Sequence, residues 1–72
     1  MRLKIDITGM HCDHCVRAVR DRIGSLPGVG VERLTVGEAI VELDETLTPK
    51  ADLFTAIRRA GDYDVAGFMV IG

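Results

Sequence analysis

The chemistry available to this chain is concentrated in seven residues, Gly9-Met10-His11-Cys12-Asp13-His14-Cys15, which hold both cysteines and both histidines of the sequence. Thiolates are soft ligands. Two of them separated by two residues can point at one ion, or close on each other as a disulfide. Among biological metals such a pair favours Cu(I), with Zn(II) and other thiophiles as competitors. The flanking patterns say how the pair is held. Before it, Leu3-Lys4-Ile5-Asp6-Ile7-Thr8 alternates apolar and polar with period two, which predicts a strand. After it, Val16, Val19, Ile23 and Leu26 recur at helical spacing. The cysteines therefore lie on a strand-to-helix loop, with Cys15 in or near the first helical turn. A helix N-terminus offers free amide donors and partial positive charge, and both favour thiolate over thiol, most strongly for Cys15. Met10 is expected to anchor the loop in the core and not to ligate.

The bulk composition narrows the function classes. Seventy-two residues make one domain, 1–72. Of these, 47% are apolar, enough for one compact core, and with no Trp, one Tyr and two Phe that core is mainly aliphatic. A net charge of −2 argues against nucleic acid, which needs a clustered positive excess. Two cysteines are too few for a disulfide scaffold. Met1-Arg2-Leu3-Lys4 begins a strand without a signal-peptide core, and no apolar run approaches a membrane span. The expectation is a soluble cytoplasmic protein whose thiols stay reduced.

The remaining elements follow in order. A first helix is expected from Asp13, as N-cap and i,i+4 partner of Arg17, to Ser25 or Leu26, with Gly24 fraying the last turn and Pro27-Gly28 stopping it. Val29–Val36 reads as a second strand, less cleanly patterned. A turn at Gly37-Glu38 leads to a third, Ala39–Leu43. Thr48 as N-cap and Pro49 at the first helical position open a second helix with Leu53, Ile57 and Ala60 on its apolar face, and Gly61 as its C-terminal glycine. Val65–Ile71 is a fourth strand. The order β-α-β-β-α-β is the ferredoxin-like α+β arrangement, a four-stranded antiparallel sheet with two helices on one face. Lys4, Asp6, Thr8 and Glu42 occupy the solvated face.

At this point the residues match a known pattern. Gly9-Met10-His11-Cys12-Asp13-His14-Cys15 resembles the Gly-Met-x-Cys-x-x-Cys loop of heavy-metal-associated domains, Leu26-Pro27-Gly28-Val29 their Leu-Pro-Gly-Val, and Ala60-Gly61 with Tyr63 their Ala-Gly-Tyr. The resemblance spans about residues 3 to 66. It implies the ferredoxin-like fold, Cu(I) bound by Cys12 and Cys15, and its transfer by ligand exchange, as in bacterial copper chaperones. The implied partner is a similar domain on a copper-exporting P-type ATPase. Zinc and cadmium members often place Asp before the first cysteine; here that position is His11, which weakens a zinc reading. Asp62 is a departure, one residue more than the pattern has between glycine and tyrosine, and it is expected to keep Tyr63 from the metal loop.

Alternatives stay open. A glutaredoxin-type thiol-disulfide oxidoreductase also places Cys-x-x-Cys before a helix, but no proline stands within the pair or ahead of a strand facing it. A mercury carrier, a zinc carrier or an excised ATPase domain are others. His11 and His14 are read as solvated, with His14 the one to act if two copies share copper. Arg17, Arg20 and Arg22 are either a docking surface for an acidic partner or an ordinary solvated face. Phe68 and Met69 are read as core or edge residues. The apo protein is expected to be a monomer, and Cu(I) to promote a homodimer.

Overall fold

A computed structural model describes residues 1–72. Its elements are β1 (Arg2–Thr8), α1 (Asp13–Gly24), β2 (Val29–Thr35), β3 (Glu38–Leu43), α2 (Lys50–Arg59) and β4 (Asp64–Val70). The strands form one sheet in the order β2-β3-β1-β4, every neighbouring pair antiparallel. The period-two pattern of β1 puts Leu3, Ile5 and Ile7 in the core against Ala39, Val41 and Leu43 of β3. The helices answer with residues at three- and four-residue spacing, Val19 and Ile23 from α1 and Leu53, Ala56 and Ile57 from α2. Met10 joins this cluster at 6% exposure, so the loop before the cysteines is pinned from below. No helix is long and apolar enough to cross a membrane.

Two strands break the alternation, and each break has a physical role. In β2 the register against β3 shifts between Val31 and Arg33, leaving Glu32 as the extra residue. That single bulge lets Val29, Val31 and Leu34 all face the core side, opposite Leu43, Val41 and Ala39. In β4 the shift falls opposite Asp6 and Ile7, with Ala66 as the extra residue, so Val65, Phe68 and Val70 share the side of Ile7, Ile5 and Leu3. Without it Val65 and Phe68 would point to opposite faces.

Several expected boundaries move by one residue. Cys12, not Asp13, is the N-cap of α1, with extended backbone (φ −159°, ψ 175°) and its carbonyl accepting from the N–H of Val16 at 3.4 Å. The Asp13–Arg17 pair does not form. Gly24 remains helical, because the Ser25 hydroxyl donates to the Arg22 carbonyl at 2.9 Å and closes the end. The hairpin turn is Val36-Gly37, with Gly37 at φ +89°, and Glu38 already pairs with Thr35. β4 runs from Asp64 to Val70, one residue earlier than expected at each end.

Thr48 is a more consequential correction. Pro49 takes the N-cap position of α2, and its carbonyl accepts from Leu53 N–H at 3.2 Å. Thr48 is instead the one buried polar residue, 3% exposed, and its hydroxyl donates to the Pro27 carbonyl. It ties the loop after α1 to the loop before α2. Thr48→Val should leave that carbonyl unpaired and destabilise the fold by about 1–3 kcal/mol. Thr48→Ser, which keeps the hydroxyl, should recover most of the loss in a urea melt; equal destabilisation by both variants would refute the hydrogen bond to Pro27.

Candidate metal centre

The strand β1 ends at Thr8, and Gly9 turns the chain with φ +91°. A Cβ at Gly9 would stand 2.3 Å from the Asp62 carbonyl oxygen, so only glycine lets the loop before α1 lie against the loop after α2. Met10 then enters the core, and the backbone swings His11 and Cys12 out to solvent. α1 begins at Asp13, which places Cys15 in its first turn, half-buried and packed on the core, while Cys12 is exposed. Both are free thiols, with Sγ atoms 3.8 Å apart.

Cys15 sits in a ring of donors. Its thiol is lowered from the ordinary 9.0 to about 7, first by the backbone N–H of His11, then by the Tyr63 hydroxyl, the backbone N–H of Cys12 and the Cys12 thiol, against the opposing effect of burial. The helix end alone, invoked from the sequence, is therefore not the main cause. Tyr63 shows the complementary effect: the closeness of its hydroxyl to Cys15, with burial and the nearby thiols, raises its own pKa.

The expectation that Asp62 would hold Tyr63 away from the loop is overturned. The extra residue is absorbed in the turn at Ala60–Asp62, and the tyrosine reaches Cys15. Gly61 makes this possible, though not as the left-handed helix terminator expected; its φ is not positive. A Cβ there would come 2.7 Å from Cε2 and 2.9 Å from Cζ of the Tyr63 ring, so the glycine supplies the space in which the ring lies. Tyr63 is the functional residue that sequence reasoning discounted. The amides of His11 and Cys12 carry no sequence signal at all.

His11 and His14 are both exposed, and no group of three or more His, Cys, Asp or Glu side chains converges to hold a metal ion. The two thiols stand without a third such side chain beside them. Neither cysteine lines one of the surface hollows, and Cys12 is open to solvent. Of the α1 arginines, none forms an ion pair; Arg22 donates to the Arg59 carbonyl at 3.3 Å, at the C-terminus of α2.

Tyr63→Phe should raise the Cys15 pKa above about 7 yet leave it below 9.0, because the His11 and Cys12 amides remain. The rate of Cys15 alkylation against pH, in a Cys12→Ser background for both forms, measures it. An unchanged titration would show that the hydroxyl does not reach the sulfur in solution.

Comparison with known proteins places this geometry. The family described as the heavy-metal-associated domain matches residues 4–62. The chain is 38% identical over 64 residues to the copper chaperone CopZ of Bacillus subtilis, covering 86% of this chain and 91% of that protein. Among solved structures, a CopZ metallochaperone is similar with a TM-score of 0.79 at 28% identity, over 92% of this chain and all (100%) of the other. The N-terminal domain of the copper(I) ATPase PacS gives a TM-score of 0.68 at 25% identity, covering 90% and 89%. The N-terminal domain of ZntA in its Zn(II) form gives 0.71 at 27%, covering 89% and 86%, so the fold alone does not select the metal. With the family's pattern matched over most of its length and its loop carrying the paired thiols, this chain belongs to the heavy-metal-associated domain family.

Proposed function

We propose that the chain is a copper chaperone, a carrier and not an enzyme, which holds Cu(I) between Cys12 and Cys15. It would pass the ion by thiolate exchange to a similarly folded domain, such as that of a copper-transporting P-type ATPase. The observation that carries this reading is the ligand count: two thiols on an exposed tip, with no third protein ligand near. A structural zinc site takes four protein ligands, and a catalytic one three. This pair satisfies neither, whereas a monovalent soft ion tolerates low coordination. At metal–thiolate bonds of about 2.3 Å, sulfurs at the present 3.8 Å separation would subtend about 110° at the ion. The outward side of the ion is then open. A thiolate from an acceptor can enter there before Cys12, the exposed ligand, departs.

The reading also fits the half-ionised state of Cys15. A thiol near 7 is a thiolate in much of the population at neutral pH, so little free energy goes into deprotonating it. Both thiols must stay reduced, which fits the cytoplasm as the working compartment. Copper shared between two exposed tips would give a metal-bridged homodimer, with His14 beside the shared ions.

Cys12→Ser and Cys15→Ser should each lower Cu(I) affinity by several orders of magnitude in a chelator competition, with unchanged circular dichroism. Wild-type affinity in either variant would sink the assignment. The pH dependence follows from the lowered Cys15 value. Above about 7 the thiolate is already formed, and affinity changes little through this group; below it, each unit of pH costs about tenfold, because one proton must be displaced. The same sign applies to stability without metal. The contribution of the Cys15 thiolate is present in full above 9.0 and is lost as pH falls through about 7. A Cu(I) affinity independent of pH between 5 and 7 would contradict the role of Cys15.

A further inference from the structure

The last turn of α2 is tied on two sides. Toward α1, Arg22 donates to the Arg59 carbonyl at 3.3 Å. Toward the sheet, Arg58 Nε donates to Asp64 Oδ1 at 2.7 Å, six positions along the chain. The residues between them, 59 to 63, form the turn that carries Tyr63. The ion pair therefore closes this turn at its neck. Asp64 does more than pair. The same Oδ1 accepts from the Val65 N–H at 2.8 Å, and the Asp64 carbonyl accepts from the Thr8 hydroxyl at 3.3 Å. Thr8 is the last residue of β1, and Gly9 follows it. One residue thus joins the end of α2, the start of β4 and the strand end from which the thiol loop departs. Arg58 and the Val65 amide hold the Asp64 carboxyl below the usual carboxylate range, so the pair is charged at neutral pH.

The turn inside the bridge has no such holds of its own. No loop backbone hydrogen bond involves Gly61, Asp62 or Tyr63. Their contacts are by packing: a Cβ on Gly9 would stand 2.3 Å from the Asp62 carbonyl oxygen and 3.4 Å from the Tyr63 Cα, and the Tyr63 ring fills the space over Gly61. A turn without internal hydrogen bonds takes its geometry from its ends. We propose that Arg58 and Asp64 are positioning residues of the metal centre, whose bridge fixes the 59–63 turn against Gly9 and so keeps Tyr63 at Cys15. The proposal rests on the copper-carrier reading for its purpose, the readiness of Cys15 to take an ion. Both side chains are at least half exposed, so the pair adds little to global stability. Its effect is local and passes through Tyr63, whose hydroxyl is among the groups that lower the Cys15 thiol.

The test is the rate of Cys15 alkylation by iodoacetamide at pH 6, in a metal-free Cys12→Ser chain. The forms compared are the parent, Arg58→Met, Tyr63→Phe and the two together. Methionine keeps an unbranched stem and good helix propensity without the donors. Arg58→Met should slow alkylation about twofold, as for a thiol pKa raised by about half a unit, with the urea midpoint nearly unchanged. In the Tyr63→Phe background it should slow the reaction no further. A direct effect of removing a positive charge would survive in that background, so the double variant separates the two causes. Asp64→Ala should act as Arg58→Met does, and Asp64→Asn, which keeps an oxygen for both donors, should restore most of the rate. A parental rate in Arg58→Met would overturn the proposal, as would equal slowing with and without the tyrosine hydroxyl, or Asp64→Asn no faster than Asp64→Ala. No metal enters this measurement, so its outcome is separate from the Cu(I) affinity of the serine variants, which decides the carrier reading.

Discussion

The contact between two loops governs the metal centre. The turn after β1 and the turn after α2 lie against each other because Gly9 has no side chain where the Asp62 carbonyl must be, and Gly61 has none where the Tyr63 ring must be. Everything that prepares Cys15 depends on this closeness. The backbone of His11 and Cys12 in the first loop and the Tyr63 hydroxyl from the second together lower the Cys15 thiol to about 7. The core beneath makes the contact stiff, through Met10 on one side and the sheet on the other. A larger residue at Gly9 would meet both an unfavourable φ and a backbone oxygen, with no flexible atom to give way.

The arrangement divides the two thiols by role. Cys15 is half-buried, its sulfur supplied with donors, and Cys12 is exposed, with no side-chain cap to fix it. A site that had to keep an ion would surround it with further ligands. Here two thiols stand at the surface with no third His, Cys, Asp or Glu side chain grouped with them. An enzyme of the thiol-disulfide class would also use a lowered thiol, but the family match is to the heavy-metal-associated domain and gives that reading no support.

Much of this was legible in the residues. The alternation of Leu3, Ile5 and Ile7, the helical spacing of Val19 with Ile23 and of Leu53 with Ile57, and Gly-Met before Cys-x-x-Cys were enough to place the thiols on a strand-to-helix loop in a ferredoxin-like fold. What escaped were features with no local pattern. Thr48 looked like a cap because capping is a local preference, yet its partner, Pro27, is 21 residues away. Tyr63 was discounted by counting residues along the chain, whereas its reach depends on how the turn absorbs Asp62. The bulges at Glu32 and Ala66 each invert the pleat once, so β2 and β4 show no clean alternation although each still directs apolar side chains at one face.

The β4 bulge joins the two ends of the molecule in one argument. By inverting the pleat at Ala66 it lets Val65 pack near the metal loop, beneath Tyr63, and still turns Phe68 toward Phe54 farther along. The residue that restores the core register at one end therefore leaves a regular, uncharged stretch of edge at the other. On β2 the same device falls in mid-strand beside Glu32 and Arg33 and interrupts the edge itself. The position of one extra residue in each strand thus sets where each edge runs regularly.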